Sequence, residues 1–175
     1  MTACATGHRS GPKLGGYDNV EVENRIRNTL YQLVYHLFNE GHRKFISGGA
    51  IGIDQLFAEA VIHFRGVANN GVSLTIAKPF PSQDNKWPQH VKNRFANICA
   101  QANEIVNVSA DPYAPWKMQL RNEWMVDKSG VIVAVWDGQQ SGGTWNCITY
   151  AQAQHKTIYH IQPFGPVGQW TLMEA

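Results

Sequence analysis

The chain has 175 residues, 43% hydrophobic and 16% charged, with a formal net charge of +2. This composition suits one folded domain with a sizeable core and excludes a disordered chain. No long basic block is present, which argues against broad electrostatic capture of nucleic acid and leaves local basic residues for a small anion.

Strand-like and helix-like segments then alternate along the chain. Thr2–Thr6 predicts a short apolar strand ending in Gly7-His8-Arg9, and Ser10–Asn19 a loop. Val20–Asn39 carries Val22, Ile26, Leu30, Leu33, Val34 and Leu37 at helical spacing, and Gly41 stops it. Lys44–Ser47 predicts a second strand. The glycine-rich stretch Ser47-Gly48-Gly49-Ala50-Ile51-Gly52-Ile53-Asp54 turns from it into a helix over Ile53–Phe64. Val72–Ala77 reads as a third strand, closed by Lys78-Pro79-Phe80-Pro81. Pro88–Ala102 reads as a helix with proline in its first turn. Glu104–Val108 is a fourth strand, Asp111–Pro115 a loop and Trp116–Asp127 a helix. Gly130–Trp136 is the most apolar strand and is expected to be central and buried on both faces. Asp137–Gly143 is a second glycine-rich turn, Thr144–His155 a helix and Thr157–Ile161 a last strand. The domain is taken as residues 1–162, with an irregular tail over 163–175.

Such alternation predicts an α/β domain: a doubly wound, mainly parallel sheet with helices on both faces. In such a sheet a ligand lies outside the carboxyl ends of the strands, at the topological switch point. The loops to watch are Gly7–Tyr17, Ser47–Asp54, Lys78–Trp87, Ser109–Arg121 and Asp137–Asn146.

At a strand–helix junction the first N–H groups have no helical partner and the helix dipole is positive, so an anion is favoured there. Gly48, Gly49 and Gly52 form one such junction, although the spacing is neither GxGxxG nor a Walker motif. Ser141-Gly142-Gly143-Thr144 forms a second. Together they suit two phosphates, or a phosphate and a sugar. Asp54 is placed to cap its helix, to accept a ribose hydroxyl or to orient water. Arg9, beside His8, can grip phosphate through two parallel N–H bonds or serve a surface ion pair. Trp87, Trp116, Tyr17 and Tyr113 fall in loops or helix starts, where they either stack on a base or pack; Trp124 and Trp136 are assigned to the core or a dimer contact. The seven histidines lack zinc-type spacing, and no metal is expected. Three cysteines without a CxxC pair indicate a reducing compartment. The N-terminus does not look like a signal peptide, and no apolar run is long enough to span a membrane, so a cytoplasmic location without a membrane partner is expected.

In order along the chain, Thr6-Gly7-His8-Arg9, Ser47–Asp54, Pro79-Phe80, Arg121-Asn122 with Asp127-Lys128-Ser129, and Gly142-Gly143-Thr144 resemble the SLOG superfamily. This is the Rossmann-like group that includes DprA/Smf and the Lonely Guy proteins, and the resemblance is closest to its YpsA-like branch. The resemblance implies a Rossmann-like fold, a homodimer or higher homo-oligomer, and a nucleotide-derived ligand between the two glycine loops. The residues it implicates are Gly7, His8, Arg9, Ser47, Gly48, Gly49, Gly52, Asp54, Pro79, Arg121, Asn122, Gly142, Gly143, Thr144 and Asn146. In Lonely Guy phosphoribohydrolases a helix arginine, matched here by Arg121, works with a glutamate just after the second glycine loop. That glutamate's place falls on Asn146 or Cys147, and asparagine cannot carry the charge that stabilises a cationic sugar.

The leading expectation is therefore a protein that binds an ADP-ribose-like or cyclic nucleotide signal, as a sensor or a sequestering protein, one version being phage–host conflict. The alternative is a nucleotide-cleaving enzyme with Arg121, Asp54 and Asn146 as candidate catalytic residues. Single-stranded DNA binding ranks third. No cofactor is expected beyond the bound ligand.

Overall fold

The computed structural model describes residues 1–16, 19–68 and 71–173. Its strands in chain order are β1 (Thr2–Gly7), β2 (Lys44–Ser47), β3 (Ser73–Lys78), β4 (Glu104–Asn107), β5 (Val131–Val135), β6 (Thr157–Ile161) and β7 (Thr171–Met173). Its α-helices are α1 (Val20–Asn39), α2 (Ile53–Ala68), α3 (Gln89–Gln101), α4 (Pro115–Asp127) and α5 (Gly142–Ala153). They form a single seven-stranded sheet in the order β4-β3-β2-β1-β5-β6-β7. The first six strands are parallel, and β7 pairs antiparallel with β6. This is the expected Rossmann-like α/β architecture.

Parallel strands bury both faces, and residue alternation shows it directly. Ala3, Ala5, Val131, Val133 and Val135 join the core beneath α1, α2 and α3. Their neighbours Cys4, Ile132, Ala134 and Trp136 join the opposite core with Met125, Cys147 and Ile148 of α4 and α5. All five residues of β5 are buried, as its apolar run predicts. Each large apolar side chain withdrawn from water in this way contributes roughly 1.5–3 kcal/mol. Trp136 stacks on Trp145 with ring centroids 5.1 Å apart.

Helix boundaries follow local chemistry. The Asn19 Oδ1 accepts the Val22 N–H at 3.2 Å to start α1, and Glu21 and Glu23 complement the dipole in its first turn. An ion-pair network ties three helices together: Glu59 of α2 meets Arg27 of α1 at 3.0 Å and Arg94 of α3 at 2.5 Å. Helix α2 continues past Phe64 to Ala68, because Gly66 weakens a helix without ending it. The tail is not wholly irregular: Trp170 packs on the core and Thr171–Met173 fold back onto β6. Three residues are too few to show a strand period, so sequence patterning misses β7.

Strand order determines where a ligand sits. The chain steps outward from β1 to β4, then returns to lay β5 on the other side of β1. The loops leaving β1 and β5 therefore diverge, opening a crevice at their carboxyl ends.

Candidate functional site

A cavity of about 240 Å³ fills this crevice. Thr6, Gly7, His8 and Arg9 line it from the end of β1, and Ala50, Ile51 and Asp54 from the first glycine loop. Met118, Arg121 and Asn122 reach it from α4, and Gly143 and Thr144 from the start of α5. Four separate segments that the sequence singled out thus meet around one space.

The two glycine loops differ in what they leave open. In the first loop three backbone donors already have acceptors. The Gly49 N–H goes to Ser47 Oγ at 3.2 Å and the Ala50 N–H to Asp54 Oδ2 at 3.3 Å. The Ile53 N–H goes to the His8 carbonyl at 3.2 Å. Ser47 Oγ in turn donates to the Asp54 carbonyl at 2.6 Å, so Ser47 braces the loop and is fully buried. Gly49 packs against Phe95, and Gly52, at φ +106°, lies against the backbone of His8 and Ser10. Gly52 thus lets β2's loop nest on β1's loop. Helix α5 begins differently. It starts at Gly142 rather than Thr144, so the glycines themselves form its first turn, and the Ser141 side chain makes no capping bond. Its first N–H groups have no helical acceptor, and they stand at the cavity.

Arg121 is buried and largely committed. Its Nη1 donates to the Gly48 carbonyl at 2.6 Å and the Ala77 carbonyl at 3.3 Å, and its Nε donates to Asn122 Oδ1 at 2.9 Å. Its Nη2 lies 3.7 Å from Asp54 Oδ2. Only Nη2 is left for a ligand. Burial pushes the Asp54 carboxyl above its ordinary range, opposed by Arg121 and the Ala50 N–H. Burial likewise lowers Arg121, against the pull of Asp54. Arg9 is the opposite case. Its side chain is exposed, and it makes no hydrogen bond or ion pair with the described residues.

His8 is buried beside Asp137, its Nε2 3.0 Å from Oδ1 and 3.1 Å from the backbone N. A neutral ring with bare Nε2 accepts the Asp137 N–H, whereas a protonated ring donates to the carboxylate. Burial lowers the His8 pKa, opposed by Asp137 and reinforced by Lys13, which sits 3.7 Å from Asp137.

The remaining sequence candidates lie off the cavity wall. Pro79 is structural, its carbonyl accepting both the N–H and the Oγ–H of Ser109. Gly142 is exposed at φ +84°, and Asn146 is exposed, its carbonyl accepting the Thr149 hydroxyl. The trio of Arg121, Asp54 and Asn146 is therefore brought together only in its first two members. Trp116 is exposed on α4, and Tyr17 lies outside the described residues. Sequence reasoning missed Met118, on the turn of α4 before Arg121, and Asp137, which directly follows the most apolar strand and was legible from that position. No group of side chains suited to a metal occurs among the described residues. No described helix is long and apolar enough to cross a membrane.

Comparison with known proteins extends this picture. The family model described as YspA SLOG family (YpsA) matches residues 3–164. The protein described as uncharacterized SPbeta prophage-derived protein YoqJ, from Bacillus subtilis (strain 168), is 36% identical over 140 residues, which cover 73% of this chain and 81% of that one. A UPF0398 protein of Halalkalibacterium halodurans is 25% identical over 143 residues, 81% of this chain and 75% of that one. Among solved structures, DNA processing protein A from Streptococcus pneumoniae superposes with a TM-score of 0.59 at 14% identity, over 92% of this chain. The chain spans about half of that protein, 50% of its length. DNA processing protein A from Helicobacter pylori, described for its single-stranded DNA binding mode, gives 0.59 at 17% identity, over 95% of this chain and 68% of that one. At such identities the likeness is one of fold.

Proposed function

The chain belongs to the YspA SLOG family, and from that premise we propose that it binds a nucleotide or nucleotide-derived signalling molecule, either ADP-ribose-like or cyclic. The observation that carries this reading is the meeting of two unfilled anion donors at one cavity. One is the exposed guanidinium of Arg9, and the other is the uncapped start of α5. A phosphate placed between them accepts parallel N–H bonds from the arginine and backbone N–H bonds along the helix dipole. Arg121 Nη2, which donates no hydrogen bond among the described residues and faces Asp54 at 3.7 Å, adds a third donor, and Asp54 is within the same wall to accept a sugar hydroxyl.

The role is that of a sensor or sequestering protein. A relative described as prophage-derived supports the version in which a phage-borne protein withdraws a host signal. Exposed Trp116 and Leu120, one turn apart on α4, support a homodimer, which light scattering tests. A second reading, cleavage of the nucleotide, draws on Asp54 alone: a buried carboxyl with a raised pKa in a cleft is a common form of catalytic acid. Single-stranded DNA binding is weaker, since the chain carries a net charge of only +2.

Mass spectrometry of small molecules released by denaturing the purified protein, followed by titration with AMP, ADP-ribose and a cyclic dinucleotide, tests the proposal. An intact nucleotide recovered and rebound is the expected result. A released base or an opened phosphodiester would favour the enzyme, and no binding of any nucleotide would end both readings.

A further inference from the structure

A second, larger cavity of about 650 Å³ adjoins the first and shares Arg9 and Met118 with it. Its remaining wall comes from the loop after β3 and the loop after β4. The smaller cavity falls below the roughly 300–1,000 Å³ of small-molecule sites, whereas this one lies within that range. Its lining is aromatic on two sides. Tyr113 stands edge-on to Phe80 with centroids 5.8 Å apart and is 63% exposed, while Trp87 leans on Phe95 at 5.3 Å.

Gln83 supplies the polar point. Its side chain is 8% exposed and lines this cavity. Nε2 donates to the Gly48 carbonyl at 3.1 Å, which fixes the orientation of the amide. That leaves Oε1 buried and without a hydrogen-bond partner. A buried acceptor without a donor is costly, and a ligand N–H relieves it after a small turn of the amide about the bond to Gly48. The loops carrying these groups are braced. Asp111 accepts both the N–H and the Oγ–H of Ser82, at 2.9 and 2.6 Å. Buried Lys117 donates to the carbonyls of Ala110 and Pro112 at 2.5 and 2.6 Å.

We propose that this adjoining cavity is a nucleobase subsite: Tyr113 and Trp87 flank a planar base, and Gln83 Oε1 accepts one of its N–H groups. Arg9, on the boundary of the two cavities, then bridges the base and the phosphate. This rests on the nucleotide reading of the smaller cavity. It adds that affinity depends on the base, and that the loop after β3 selects it.

The test compares AMP with ribose 5-phosphate, which lacks a base, by calorimetry on wild type, Tyr113→Ala and Gln83→Leu. Tyr113 is chosen over Trp87 because it is largely exposed, and its truncation leaves the core intact. Wild type should prefer AMP by at least about a hundredfold. Tyr113→Ala should shrink that preference by about tenfold, the scale of one lost base stack, and Gln83→Leu by about 2- to 10-fold, the scale of one lost hydrogen bond. If wild type binds both probes with similar affinity, or if Tyr113→Ala keeps the full preference, the base subsite is wrong while the phosphate site stands. If neither probe binds while ADP-ribose or a cyclic dinucleotide does, the base subsite is wrong and the nucleotide reading stands; if none of the four binds, the nucleotide reading falls and takes this inference with it.

Discussion

Arg121→Ala should unfold the protein more than it should report on ligand chemistry. The substitution removes a buried guanidinium whose Nη1 serves the carbonyls of Gly48 and Ala77 and whose Nη2 faces Asp54 at 3.7 Å. It strands the Asp54 carboxylate and loosens α4 from the loop after β2. Breaking a buried pair from one side costs about 3–5 kcal/mol. A domain of this kind has only about 5–15 kcal/mol to lose. For 150–250 residues each kcal/mol shifts the melting temperature by about 2–4 °C, so the midpoint should fall by about 6–20 °C. Urea and thermal melts of ligand-free protein, followed by tryptophan fluorescence, measure this directly. Asp54→Asn in the Arg121→Ala background should recover at least about 1 kcal/mol, because it removes the stranded charge. A ligand-free Arg121→Ala protein within about 0.5 kcal/mol of wild type would refute the reasoning and return Arg121 to a purely ligand-facing role.

Other outcomes follow from the same geometry. Arg9→Ala should weaken nucleotide binding by about 10- to 150-fold, the worth of charge-assisted hydrogen bonds, and leave the melting temperature unchanged; calorimetry beside a thermal melt separates the two. Gly52→Ala should cost about 2–4 kcal/mol, since φ is +106° and a Cβ would stand 2.6 Å from both the His8 carbonyl and the Ser10 N; a wild-type urea midpoint would contradict this. The His8 pKa lies below its ordinary 6.5, chiefly through burial, so the unfolded chain takes up that proton first as pH falls. Its stabilising contribution is present above about pH 6.5 and is lost as pH drops toward the folded value, at no more than about 1.4 kcal/mol per pH unit. His8→Gln should flatten that part of the stability–pH curve, and an unchanged slope would show that His8 is not the titrating group.

The fold was legible because parallel strands buried on both faces leave unbroken apolar runs, of which Val131–Val135 is the clearest, and because helices such as α1 show a full apolar stripe. The assembly of Gly7, His8, Arg9, Asp54, Arg121 and Asn122 at one cavity follows from strand order, which ordered motifs reveal. How those residues divide their labour does not follow. Arg9 and Arg121 carry the same guanidinium, but one sits on an exposed loop and the other is enclosed by carbonyl oxygens from β3 and the loop after β2. Ser47 and Asp54 fold back to accept the Gly49 and Ala50 N–H groups of the first loop, whereas Ser141 makes no capping bond at the second, and neither outcome is written in the glycine spacing. Gln83 gave no signal at all, since an amide in a loop has no period and no motif.

The Gly48 carbonyl has a consequence of its own. One oxygen accepts from Arg121 on the side of the smaller cavity and from Gln83 on the side of the larger. With both lone pairs engaged, the two donors compete for the same electron density. Drawing Gln83 away leaves more of that oxygen to Arg121, and drawing Arg121 away leaves more of it to Gln83. On the proposed reading, occupancy of the two cavities would be negatively coupled through a single atom, and the coupling would be reciprocal. Two half-ligands added together, an inorganic phosphate and a free nucleoside, would expose it as a non-additive binding energy without any movement of the backbone.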